Sequence, residues 1–379
     1  MPEDRATLRA VEDLTWQPCP SPTAGCAALP APWAARTGWG FGGRLDAIAA
    51  RGQTYLTVVR QPEPGIWETL VLGGADAATP VARWRQRLPE AGCVLGAVSL
   101  TLDDGEVTAA LPILRGDDET APVVVLGAPE DLSAQRAAAP PRRRLATFGG
   151  PDAAVLARDV ALARGDLLVV WEHEGRFALR AGAGTTHRPT PTGQAFHALL
   201  DATPVAGAVL YSAWTGERGS VWAASARGES RAVLRSDERS YDRFTTDGDQ
   251  AAWTRARGRR DLNTFDEIEL WTARVSARGL RGARRVTALP AGPLPLVALG
   301  EGWAAVWHGG RAVRLVRLAD GATRWLPALE GLTWDGGPGG IALAGGAVWA
   351  RAARVGAAGN DHRLLVRLDL DALPQEPTP

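Results

Sequence analysis

Five times along the chain a short apolar run ends in tryptophan, and each run leads through a turn or an insertion into a second, alternating segment. The runs end at Trp171, Trp214, Trp253, Trp307 and Trp349, at spacings of 43, 39, 54 and 42 residues. Their partner segments lie at 176–180, 220–224, 267–272, 311–317 and 363–368. Two fainter copies precede them, at 55–59 and 106–111. About seven units of roughly 48 residues account for most of the 379 residues.

A unit of this length holds four strands of ~6 residues with their turns. Hairpin signals recur between the strand patterns, at Asp104-Gly105, Asp247-Gly248 and Asp320-Gly321. Helical periodicity is weak; residues 153–164 are the one stretch that admits a helical turn or two. A lone four-stranded sheet has two faces to cover. Packing such sheets around an axis buries both and leaves only short edges. Tryptophans suit that packing, since each buries ~150–250 Å². The predicted fold is therefore an all-β, seven-bladed β-propeller over residues 41–373, after an N-terminal segment 1–40 and before a flexible tail 374–379. The last unit has three strand patterns, and residues 7–11 are the candidate for its missing outer strand. A two-domain β protein split near Pro140-Pro141-Arg142 is the alternative architecture. The stretch 246–253, an Asp-Gly turn followed by a strand ending in Trp253, resembles TolB-like and WD40-like repeat propellers. The Gly-His and Trp-Asp dipeptides of true WD40 repeats do not recur. The resemblance implies a fold and, loosely, a scaffold or binding role.

Composition removes several function classes. The 42 basic residues, all arginine, balance 42 acidic ones, which argues against a nucleic-acid binder. Without lysine there is no P-loop lysine and no Schiff-base lysine. No apolar run reaches the ~18 residues of a membrane helix. The charged start, Met1-Pro2-Glu3-Asp4-Arg5, has no secretory core, which predicts a cytoplasmic protein if Met1 is the native start. A processed chain would instead fit the periplasm or the cell exterior. Cys19 and Cys26 bracket a short loop with two prolines and a glycine, so a disulfide is sterically available and would need an oxidising compartment. Two unrelated thiols are the other reading. Cys93 reads as a small buried residue.

Chemical motifs are sparse. Residues 38–43 match G-x-G-x-x-G, but no strand precedes them and no βαβ pattern follows. The histidines at 173, 187, 197, 308 and 362 share no repeat position. His173 falls in a predicted turn without a second histidine at metal spacing. There is no G-x-S-x-G elbow. Calcium is the one cofactor the acidic turns at 103–106 and 247–249 admit; ordinary turn chemistry explains both better. Propeller lactonases hold calcium with Glu, Asn and Asp, and this chain has only Asn263 and Asn360.

Charge is unevenly spread. Residues 102–131 hold eight carboxylates and one arginine; residues 255–285 hold nine arginines and four carboxylates. Arg257, Arg259, Arg260, Arg284 and Arg285 are accordingly the candidate binding residues, able to grip an anionic partner through bidentate guanidinium contacts. A solvated hairpin neutralised by its neighbours is the plainer reading and the favoured one. Arg142-Arg143-Arg144 forms a second basic loop with the same alternatives. The functional expectation is a monomeric, non-enzymatic scaffold recognising a protein, peptide or glycan through loops and channel rim. The rival is a propeller hydrolase or lyase with a metal near the axis.

Overall fold

The computed structural model describes residues 16–19, 25–29, 45, 47–63, 66–87, 99–103, 106–115, 118–127, 144–147, 156–163, 166–173, 176–181, 185–187, 198–205, 208–215, 218–225, 230–235, 244–261, 264–276, 279–307, 312–334, 340–354 and 363–375. Apart from a 3-10 turn at Leu370–Ala372, the regular structure among them is β.

Among the described residues the first strands are two short ones, β1 (Gln17–Pro18) and β2 (Cys26–Leu29). Four-stranded sheets then follow in chain order. The first holds β3 (Ala47–Ala50), β4 (Gln53–Glu63), β5 (Ile66–Gly73) and β6 (Thr79–Arg87). The second holds β7 (Ser99–Asp103), β8 (Glu106–Arg115), β9 (Asp118–Gly127) and β10 (Arg144–Thr147). The third holds β11 (Leu156–Ala163), β12 (Asp166–His173), β13 (Arg176–Ala181) and β14 (Thr185–His187). The fourth holds β15 (Ala198–Val205), β16 (Ala208–Thr215), β17 (Arg218–Ser225) and β18 (Ser230–Arg235). The fifth holds β19 (Phe244–Asp247), β20 (Gln250–Arg259), β21 (Thr264–Ser276) and β22 (Gly279–Leu289), with β23 (Gly292–Pro293) added to β21. The sixth holds β24 (Leu296–Gly300), β25 (Trp303–Trp307), β26 (Val313–Arg317) and β27 (Thr323–Trp325). The seventh holds β28 (Leu332–Trp334), β29 (Ile341–Ala344), β30 (Ala347–Arg354) and β31 (Arg363–Asp369), and it recruits β2 and β1. Its order is β1-β2-β31-β30-β28, with β29 also on β30. Successive antiparallel four-stranded meanders of this kind are propeller blades, and the chain is an all-β propeller protein.

Two compact units divide these sheets. One comprises Met1–Arg176, Leu329–Asp335 and Gly339–Ala372; the other comprises Phe177–Ala328, Gly336–Pro338 and Leu373–Pro379. In the first unit, Leu56, Leu70 and Leu72 pack with Leu29, Trp349 and Leu365, joining the first sheet to the seventh. On the opposite face Val71 and Ala82 meet Leu100, Val107 and Ala109 of the second sheet. In the second unit, Ala252, Ile268 and Leu270 pack against Ala304, Val306 and Val316, joining the fifth and sixth sheets. Burial of both faces explains why the strands read as near-continuous apolar runs rather than strict alternation: Ala251, Ala252, Trp253 and Thr254 are all buried.

Trp171, Trp214, Trp253 and Trp307 fall on the second strand of a sheet, as does each fainter copy, and Trp349 falls on β30, the strand after the β29–β30 turn. They do not share one height. Trp253 and Trp349 lie near the first hairpin turn and are 1 % exposed, whereas Trp307 ends β25 and is half-buried. In the sixth sheet the buried role falls to Trp303. The Asp247-Gly248 turn closes β19 on β20 with Gly248 left-handed (φ 58°), as its sequence requires.

Two expectations are corrected. Residues 153–164 carry no helix in the described part: Leu156–Ala163 is β11, paired antiparallel with β12, so its backbone groups are joined across a ladder rather than within a helix. The N-terminal strand that completes the last sheet is Cys26–Leu29, paired with β31 from Cys26↔Leu368 to Leu29↔Leu365. Residues 7–11, 38–43 and 142–143, Cys93, Asn263, Asn360 and the histidines at 197, 308 and 362 lie outside the described residues.

Candidate binding surface

The candidate arginines belong to the fifth sheet, in two separate places. Arg257, Arg259 and Arg260 sit at the β20–β21 hairpin, while Arg284 and Arg285 lie midway along β22. Arg257 is opposite Glu267 and Arg285 is opposite Trp271, so the two groups stand about 13 Å apart along β21.

Local structure at the hairpin is self-braced. Gly258 is left-handed (φ 65°), and a Cβ there would lie 2.7 Å from an Asp266 carboxylate oxygen. This close approach brings Asp266 against Arg260, which donates to it through Nε. Arg259 Nε donates to the Asp261 carbonyl at 2.7 Å, and the Asp261 carboxylate accepts the Thr264 N–H at 2.9 Å. Along the sheet face the register alternates sign, with Arg257 opposite Glu267 and Arg255 opposite Glu269. Such opposed pairs are the sheet's version of helical ion pairing.

At the second place, Glu269 is clasped from two sides. Trp271 Nε1 donates to it at 3.0 Å and Arg285 Nη1 lies 3.2 Å from its other oxygen. The Arg255 guanidinium covers the Trp271 ring at 5.0 Å from the centroid, and Trp271 stacks on Trp253, which stacks on Phe244. Arg284 donates through Nη2 to the carbonyls of Leu318 and Ala319, the latter at 3.0 Å. Four of the five arginines are thus held by groups of their own chain. Arg257 has an acidic residue, Glu267, opposite it in register.

Sequence reasoning passed over the charges at the other end of the same sheet. Arg281 stands opposite Arg274 across β21–β22, and both are exposed. Arg274 pairs with Asp249 at 2.8 Å. Asp247 accepts the Glu301 N–H at 2.9 Å. The carboxylates of the 247–249 turn, weighed above as calcium ligands, are thereby engaged within the protein. In the adjoining turn Asp320 accepts from Arg317 Nε at 2.9 Å, from Arg317 Nη2 at 2.6 Å, and from the Ala322 N–H at 3.0 Å. These contacts, the Arg317 hydrogen bond foremost, hold its carboxyl down at about 2. Arg317 and Arg324 flank Trp303, each 5.5 Å from its ring centroid. Burial pushes the Arg314 guanidinium below its ordinary value. The signal that could have singled out Arg281 was the run 279–285 with its two glycines and three arginines. Its pairing with Arg274 depends on two bulges that no sequence pattern announces.

Cys19 and Cys26 form a disulfide with Cα atoms 5.6 Å apart, fastening β1 to β2. Trp16, just before β1, packs on Trp349 with ring centroids 5.5 Å apart. Among the described residues no His, Cys, Asp and Glu cluster has metal-holding geometry, and no helix is long and apolar enough to cross a membrane.

No protein-family model matches the chain, and no curated protein matches it by sequence. Among solved structures it is similar to a catalytically inactive virginiamycin B lyase from Staphylococcus aureus with quinupristin, at 11% identity and TM-score 0.47, covering 90% of this chain and 98% of that one. It is similar to the Cps50 (Swd1) β-propeller domain of Myceliophteria thermophila, at 11% identity and TM-score 0.49, covering 88% and 98%. It is similar also to the Pan2 WD40 domain of Neurospora crassa, at 11% identity and TM-score 0.47, covering 94% and 96%. These neighbours are a lyase, a β-propeller domain and a WD40 domain, and the strand pairing of the chain itself makes it an all-β propeller.

Proposed function

We propose that this protein is a non-enzymatic, seven-bladed propeller scaffold that binds an anionic protein, peptide or glycan. The observation that supports this most is β22, the last strand of its sheet, on which Arg281 to Arg285 are five consecutive exposed residues, three of them arginine. Blade interiors in such a fold are taken up by packing, which leaves strand edges and turns for recognition. The direct test is a peptide and glycan array probed with the wild-type chain and with an Arg281→Glu, Arg257→Glu variant, alongside native mass spectrometry with and without chelator. The scaffold reading expects acidic ligands, stoichiometric binding without metal, and weaker binding by the variant. A divalent metal held at one per chain and lost to chelator, with no array ligand bound, would overturn it in favour of the hydrolase or lyase.

A further inference from the structure

The scaffold reading leaves open how β22 would hold a partner, and the geometry of that strand is specific on the point. β22 has β21 on one side and, among the described residues, no strand on the other. Among the described residues its backbone polar groups on that side have no ladder partner, although β18 of the fourth sheet approaches the strand. The open length is bounded. At Val286 the turn of the sixth sheet closes in: a Cβ on Gly321 would lie 3.3 Å from the Val286 carbonyl, and Arg284 reaches the carbonyls of Leu318 and Ala319. The open stretch is Gly279 to Arg285, which spans roughly 23 Å in extended form. Within it Gly282 is left-handed (φ 64°), with nothing within 4 Å of where a Cβ would stand.

Charge along this stretch is unbalanced. The bulges opposite Leu270–Trp271 and Thr272–Arg274 re-aim the strand and set Arg281 against Arg274, a like-charge pair directly across the ladder. Such pairs are disfavoured unless an anion lies between or beside them. Arg274 has Asp249, at 81% and 66% side-chain exposure, whereas no described group bonds to Arg281. Edge arginines and bulges can equally serve to repel incoming strands. A strand bearing carboxylates at alternate positions reverses that effect, because the repelling charge becomes its counter-charge.

We infer that β22 is an acceptor edge for an extended acidic peptide of six or seven residues, which adds antiparallel or parallel to Gly279–Arg285 and places a carboxylate against Arg281 and Arg274. This deepens the scaffold reading and rests on it. The probe is a capped, fluorescein-labelled hexapeptide of alternating Glu and Val, titrated with the full chain by fluorescence anisotropy. Controls are the same peptide N-methylated at alternate residues, which cannot complete a ladder, and a heparin-derived hexasaccharide. The expected result is saturable binding, at least about tenfold weaker for Arg281→Glu and for the N-methylated peptide, with circular dichroism of the variant unchanged. Equal binding of the N-methylated peptide, an unaffected Arg281→Glu variant, binding of the hexasaccharide alone, or no binding of the peptide would each overturn strand addition. If an array ligand binds while Arg281→Glu leaves it untouched, the scaffold reading survives and only this edge is excluded.

Discussion

At the scale of single residues, ion pairs among the described residues close turns of this protein. Asp320 is the sharpest case, accepting a two-pronged contact from Arg317 and a backbone N–H from Ala322. Its carboxyl is lowered from 3.8 to about 2 in the folded chain, chiefly by the Arg317 hydrogen bond. A depressed acid pKa stabilises the fold above the unfolded value, and that contribution fades as pH falls from near 3.8 through about 2. A carboxyl-carbon NMR titration should place the Asp320 midpoint near 2. A midpoint at the usual carboxylate position would mean that the turn is not closed by Arg317. The candidate arginines show the limit of reading at this scale. Their clustering was visible as nine arginines in thirty-one positions. What each arginine holds was not visible, because Asp266 reaches Arg260 over a left-handed glycine and Glu269 reaches Arg285 across a bulged ladder.

At the scale of elements, the first hairpin of several sheets uses the same device. Arg51-Gly52, Glu301-Gly302 and Gly345-Gly346 are two-residue connections with both residues left-handed, matching the twist of the strands they join. Gly345 has a second constraint, since a Cβ there would lie 2.0 Å from Oγ1 of the buried Thr54. Gly345→Ala should therefore destabilise by about 1–3 kcal/mol, from left-handed strain and the clash together. Adding Thr54→Ala should recover the clash but not the strain. Thermal melts of the two variants separate these terms; identical melting for Gly345→Ala and wild type would remove both. Such hairpins are the part of the fold most legible in the sequence, because period-two patterns and Gly-containing turns are local signals. The heights of the tryptophans are not local. Whether Trp303 or Trp307 is the buried residue of its strand depends on neighbouring sheets.

For the whole molecule the decisive pairing is β2 with β31. An N-terminal strand is expected at this edge with residues 7–11 as its candidate, and the strand found on β31 is Cys26–Leu29. Cys26–Leu29 has no alternating pattern of its own; the edge of β31 that it joins is distant in sequence, while the disulfide from Cys19, seven residues away, fastens β1 to it. Removing residues 1–29 should lower the melting temperature far more than removing 1–15, since only the longer truncation takes away β2 and the Trp16 contact to Trp349. Reduction of the disulfide in the intact chain should cost about 2–3 kcal/mol by the loop-entropy relation. Calorimetry with and without reductant measures it, and an unchanged melt would show that the hairpin holds without the bond.

The same pairing sets a schedule for biosynthesis. Cys26 leaves the ribosome more than 330 residues before its partner Leu368 exists. At 5–20 residues per second the N-terminal strand waits roughly 20 to 70 seconds for its neighbour. Through that interval the apolar face of β2 has no strand beside it and is available to other chains. The closing step of this sheet is thus coupled to synthesis of β31, and mistakes in it would join the β2 of one molecule to the β31 of another.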